Sequence, residues 1–99
     1  MAFVQTIWFK TSRIDEMQKL MDEWSEQGAA QAPGFRGSKV LRDRDNENTF
    51  LVVAEFDSYE LAMENSARPE TDAFAKRMAE MSDGHPAFAN FDLIHEDTP

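Results

Sequence analysis

Thr49–Ala62, TFLVVAEFDSYELA, is the stretch whose reading decides the fold. It holds the longest unbroken apolar run of the chain, Phe50 to Ala54, and changes character within a few residues. Phe50, Leu51, Val52 and Val53 are aromatic or branched and show no polar alternation, which predicts a strand covered on both faces. Asp57 and Ser58 stop it. Asp57 with Glu60 three residues on resembles a capping box, so a helix is expected to follow. A central strand therefore runs into a helix, and the rest of the chain must supply the strand's two covers.

Working outward, Phe3–Lys10 (FVQTIWFK) alternates between Phe3, Gln5, Ile7, Phe9 and Val4, Thr6, Trp8, Lys10. Both faces are largely apolar, so this is a second doubly covered strand. Ser12 is the expected N-cap of the next helix, with Asp15 three residues on. Ile14, Met17, Leu20, Met21 and Trp24 recur at helical spacing on one stripe. Gly28 is expected to close that helix, and Pro33-Gly34 to turn the chain. Phe35–Arg42 alternates loosely as a strand, with Arg36, Ser38, Val40 and Arg42 on one face and Phe35, Gly37, Lys39 and Leu41 on the other. Asp43–Asn48 is a polar hairpin loop leading into the opening stretch. The helix from Tyr59 is interrupted at Arg68-Pro69, because a residue before proline avoids the helical region. Pro69 suits the first turn of a new helix, along which Phe74, Met78 and Met81 are spaced. Ala87–His95 is expected as the last strand, and Glu96–Pro99 as a frayed tail.

The order β-α-β-β-α-β, with its second helix broken in two, predicts a ferredoxin-like α+β fold with a four-stranded antiparallel sheet in a single domain over 1–99. Both helical segments then cover one sheet face. The opposite face, with Val4, Trp8, Leu51, Val53 and Glu55, would lie in water, and such a patch exceeds what monomers usually expose. A homodimer packed sheet to sheet is the economical solution. Glu55 is expected to pair with a basic residue, Arg36 or Arg42 across the hairpin.

Composition narrows the function. Ninety-nine residues with a net charge of −9 argue against nucleic acid and against an anionic membrane surface. The absence of cysteine removes disulfides, thiolate nucleophiles and cysteine metal sites. No apolar run approaches ~18 residues, and the N-terminus has no signal-peptide pattern, so a cytoplasmic protein is expected. Six methionines and eight phenylalanines suit core filling or an adaptable pocket.

With these elements in place, the chain resembles the antibiotic-biosynthesis-monooxygenase (ABM) family of dimeric α+β barrels. The resemblance rests on FKTSRIDEM ending the first strand, the PGF turn, LVVAEFDSYELA, PETDAF opening the last helix, and FDLIHED at the end. It implies a barrel shared between two subunits and a cleft between each sheet and its helices. It also implies oxidation of aromatic phenols without a cofactor in some members and haem degradation in others. The residues used by haem-degrading members fall on Gln5, Asn65 and Met78, and those used by the phenol oxidisers on Val52 and Phe56. Neither set is matched in kind.

Among individual residues, Gln5 stands between Phe3 and Ile7, on the face that the resemblance turns towards the helices. Its amide either meets a ligand oxygen or ties neighbouring groups together. Asn65 is expected at the cleft mouth. Arg68, in the connector before Pro69, is a candidate for an anionic substrate, or a surface ion pair like Arg77. Trp24, Phe74 and Met78 are candidate cleft walls. His85 lies in a turn; His95, beside Glu96 and Asp97, is either a base or a solvated strand end. Neither histidine has a ligand partner at helical spacing, so no metal is expected. Two functions fit: a cofactor-independent monooxygenase for a small aromatic or polyketide-like substrate, and a non-catalytic dimer binding a small apolar ligand.

Overall fold

The computed structural model describes residues 2–27 and 31–99. Its elements run β1 (Phe3–Lys10), α1 (Ile14–Gln27), β2 (Phe35–Arg42), β3 (Thr49–Phe56), α2 (Tyr59–Ser66), α3 (Pro69–Met81) and β4 (Ala87–Asp92). The strands form one antiparallel sheet in the order β2-β3-β1-β4. This is the ferredoxin-like arrangement expected from the element order, with the last helical segment broken at Arg68-Pro69 and Pro69 in its first turn. No helix of the described residues is long and apolar enough to cross a membrane.

Alternation along β1 and β3 sorts their side chains into two layers. Phe9 lies opposite Phe50 and Phe3 opposite Phe56, on the helix side. Phe9 and Phe50 stack at 5.5 Å and form a buried cluster with Met17 and Leu20 of α1 and Met78 of α3. Phe3, Phe56 and Ala62 form a second cluster at the other end. On the outer face Val4 lies opposite Glu55, Thr6 opposite Val53 and Trp8 opposite Leu51. Trp8, Leu41 and Phe91 are about half exposed there, at 42%, 47% and 52%. The outer layer of this chain is therefore apolar and uncovered. Glu55 meets Arg36 at 3.5 Å, the first of its two expected partners.

Four local expectations change. A bulge between Phe35 and Gly37 skips Arg36 in the β2–β3 pairing. An extra residue in one strand reverses the alternation beyond it. Phe35 therefore joins Ser38, Val40 and Arg42 on the helix side, and Arg36 moves out to meet Glu55 and Asp57. The cap of α2 is Ser58 rather than Asp57: its hydroxyl accepts the Leu61 N–H at 3.2 Å, while Asp57 pairs with Arg36. α1 starts at Ile14, so Arg13 rather than Ser12 stands just before its first residue; ahead of it the Thr11 hydroxyl accepts the Arg13 N–H at 2.9 Å and donates to the Met81 carbonyl at 2.7 Å. Thr11 thereby ties the start of α1 to the end of α3. The last strand stops at Asp92 rather than His95: Asp92 lies opposite Phe3, where β1 begins, and one further bond runs from the Leu93 N–H to the Ala2 carbonyl. The expected closure of α1 at Gly28 lies outside the described residues.

Gly34 fixes how the chain enters β2. Its φ is +68°, and an added Cβ would meet Leu61 Cδ1 at 2.6 Å. Its carbonyl accepts the Asp57 N–H at 2.8 Å, so this turn also ties β2 to the end of β3.

The two cap readings are separable. Ser58→Ala is expected to lower unfolding stability by about 1 kcal/mol in urea melts. Asp57→Ala removes only an exposed ion pair and is expected to stay within about 0.5 kcal/mol.

Candidate functional site

The two aromatic clusters sit at opposite ends of the sheet, and a cavity of about 670 Å³ lies between them under the helices. That volume is within the usual range for a small-molecule site, roughly 300–1,000 Å³. Strand register builds the floor in rows. One row runs Val40, Val52, Ile7, Phe88 across the strands and is apolar throughout. The next runs Ser38, Ala54, Gln5, Asn90 and carries three polar side chains around a small one. Ala54 at the centre leaves depth where a larger residue would fill the floor.

The walls come from the helices. Trp24 of α1 and Phe74 of α3 stack at 5.4 Å with 27° between their planes. This pair closes the gap between the two helices without filling the cavity, which both residues line. Met78 lines its deepest part, 1% exposed and packed among Phe9, Met17, Leu20 and Phe50. It serves as a wall held by the core. Phe56, 3% exposed, closes one end, and Val52 lies mid-floor.

Asn65 is the most constrained polar group of the lining. It is 5% exposed, on α2. Its Oδ1 accepts from Arg68 Nη1 and from Thr71 Oγ1, each at 3.1 Å. A guanidinium only donates, so this contact fixes which end of the amide is oxygen. The Nδ2 is left as the group Asn65 can offer to the cavity, and no acceptor among the described residues takes its hydrogens. Arg68 itself stands behind Asn65. Its Nε meets Glu70 Oε2 at 3.1 Å and its guanidinium lies 6.0 Å from the Trp24 ring. It braces three helical segments at once.

Gln5 lines the floor, and its Nε2 donates to Asn90 Oδ1 at 3.3 Å. Charges occupy the rim: Asp22 and Asp72 on the helices, Arg42 on the sheet. Asp72 is paired with Lys76 at 3.0 Å. The histidines stand apart. His85 is exposed in its turn, and His95 is in the exposed tail with Nε2 3.2 Å from Asp97. Arg77 pairs with Glu23 at 3.0 Å on the surface. Among the described residues no group of carboxylates and imidazoles is arranged to hold a metal ion.

Gln5, Trp24, Val52, Phe56, Asn65, Phe74 and Met78 thus converge on one cavity, with Arg68 just outside it. Asn90, Thr71, Ser38 and Arg42 belong to the same surroundings and were not singled out from the sequence. Asn90 had a signal, a polar residue between Phe88 and Phe91. Its partner could be named only once β4 was known to lie beside β1.

This architecture has known counterparts. A family model described as antibiotic biosynthesis monooxygenase matches residues 1–77. A solved structure of a candidate antibiotic biosynthesis monooxygenase from Caulobacter crescentus CB15 is similar with a TM-score of 0.83 at 16% identity, covering 95% of this chain and 91% of that one. SnoaB, a cofactor-independent oxygenase from Streptomyces nogalater, gives 0.80 at 17% identity, covering 96% and 94%. Rv0793 from Mycobacterium tuberculosis gives 0.81 at 12% identity, covering 99% and 100%. At such identities the likeness to these structures is one of fold. Among curated protein sequences, none matches.

Proposed function

The chain belongs to the antibiotic biosynthesis monooxygenase family, and from that premise we propose that it oxygenates a small aromatic or polyketide-like substrate in the sheet–helix cleft without a cofactor. The observation that carries this reading is the buried Asn65, fixed by Arg68 and Thr71 so that its Nδ2 remains for a ligand beside an apolar cavity. A phenol or anthrone-type substrate gives up a proton to become an electron-rich anion. Such an anion can itself reduce oxygen: a ring CH₂ and O₂ become C=O and water, with all electrons from the substrate. The cleft's part is to hold the ring among Trp24, Phe74 and Val52, to exclude water, and to place donors where charge develops on oxygen. Asn65 serves as that donor, with its amide polarised by Arg68. Gln5, tied to Asn90, orients the ring from the floor.

The working unit in this reading is a cytoplasmic homodimer. Val4, Trp8, Leu51 and Val53 with Glu55 lie on the uncovered sheet face, and a second copy buries them. The family resemblance supports the same assembly.

A second reading has its own support. No histidine lines the cleft, and Val52 and Phe56 stand where phenol oxidisers carry polar or indole side chains. With no obvious base, the same cavity serves a dimer that binds a small apolar ligand without turning it over.

Oxygen uptake separates them. In metal-free buffer, the protein with a panel of anthrone-type and dihydroxyaromatic compounds is expected to consume oxygen in step with quinone formation. Asn65→Leu is expected to lower the rate about 100-fold. Tight binding of a panel member with no turnover of any would establish the binding reading instead. For assembly, light scattering at micromolar concentration should report twice the 11.3 kDa chain mass. Trp8→Glu should reduce it to a single chain. A wild-type mass of one chain would refute the dimer.

A further inference from the structure

Arg42 ends β2 on the helix-facing side and lines the cleft at its sheet edge. Its guanidinium lies over the Phe50 ring, 5.6 Å from the centroid. The chain carries 19 acidic against 10 basic residues. In that setting Arg13, Arg36, Arg68, Lys76 and Arg77 each have a carboxylate partner. Among the described residues Arg42 has no such partner, and neither do Lys10, Lys19, Lys39 and Arg44, but of these five only Arg42 lines the cleft. The adjacent Asp43 does not serve. Its carboxylate accepts from the Asn46 side chain and from the Asp45 N–H, both at 2.9 Å. These bonds, Asn46 foremost, hold its carboxyl below the usual carboxylate range. The neighbouring acid is thus occupied by its own loop.

We infer that Arg42 is the specificity-determining anchor for an acidic group on the ligand, so that the cleft takes aromatic acids in preference to neutral aromatics. The inference rests on the cleft reading proposed above. Its physical basis is a division of labour along the cavity. The middle is apolar, with Val40, Val52 and Ile7 across the floor and Trp24 and Phe74 above. A charged group cannot settle there unpaired. The helix side of the rim carries Asp22 and Asp72 and repels an anion. The sheet side carries Arg42, whose planar fork matches a carboxylate with two parallel hydrogen bonds. Held over Phe50, the guanidinium is partly oriented before the ligand arrives. A ring bearing a carboxylate on one edge would then lie with that edge toward β2 and its body under Trp24 and Phe74. Arg42 lies in the Phe50–Phe9 row, and Gln5 is two strands over and four residues along, so at roughly 4.8 Å per strand and 3.3 Å per residue their backbones are about 16 Å apart before either side chain reaches inward. The span left between the side chains suits a fused two- or three-ring skeleton, with the acid at Arg42 and a ring oxygen near Gln5 and Asn65.

The test compares a hydroxynaphthoic acid with its methyl ester, by titration calorimetry at neutral pH and low salt. Wild type is expected to bind the acid about tenfold more tightly than the ester. Arg42→Gln should abolish that preference while leaving ester affinity within about twofold, and Arg42→Lys should restore part of it. Thermal melting of each variant confirms that the fold is kept, since Arg42 is exposed on an edge strand. Equal binding of acid and ester by wild type, or a preference that survives Arg42→Gln, would overturn the Arg42 assignment and leave the cleft reading standing. Failure of both compounds to bind wild type would overturn the cleft reading and this inference with it.

Discussion

The pairing of β1 with β3 is the constraint on which the rest depends. Its register sets Phe9 against Phe50 at one end and Phe3 against Phe56 at the other. Each pair collects its own helical partners: Met17, Leu20 and Met78 at the first, Ala62 at the second. Between the two clusters the same register brings Ile7 to Val52 and Gln5 to Ala54. These smaller or polar side chains line the floor, and the cavity is the space left over them. A slip of one residue would turn one strand's phenylalanines to the outer face and break both aromatic pairs.

The helical half answers this with a network of fixed polar contacts. Arg68 reaches Asn65, Glu70 and the Trp24 ring, and Thr71 adds a second donor to Asn65. A break at Arg68-Pro69 that looks like a loss of helix is what allows this. It turns the chain so that residues from the end of α2 and the start of α3 meet over the cleft. The cost of burying an amide is offset because its oxygen is fully engaged. What remains uncommitted is a donor of known orientation, which is what a site for an oxygen-bearing ring requires.

Much of this was legible in the residues. β1, β2 and β3 run over the spans their alternation and flanking turns predict. The inward set of β3, Phe50, Val52, Ala54 and Phe56, followed from period two alone. What failed did so for local reasons. The bulge at Arg36 leaves no trace in a strand whose faces are both mixed, so strict alternation groups Phe35 with Lys39 and Leu41 instead of with Ser38, Val40 and Arg42. Capping oxygens one residue apart, Asp57 and Ser58, compete on geometry that sequence does not carry. The shorter β4 reflects the length of its partner strand rather than its own propensity. Asn90 and Thr71 became visible as site residues only through pairing and helix packing. Arg42 joins the cleft lining only through the β2–β3 register.

The proposed function requires that the open cavity over Ala54 receives an aromatic ligand. Filling it from the floor tests this most directly. Ala54→Trp places an indole where Ala54 lies between Ser38 and Gln5 on the helix-facing side. Binding of the hydroxynaphthoic ester should weaken at least about tenfold while near-ultraviolet circular dichroism and melting still report a folded chain. A folded Ala54→Trp protein that binds the ester as tightly as wild type would contradict the account.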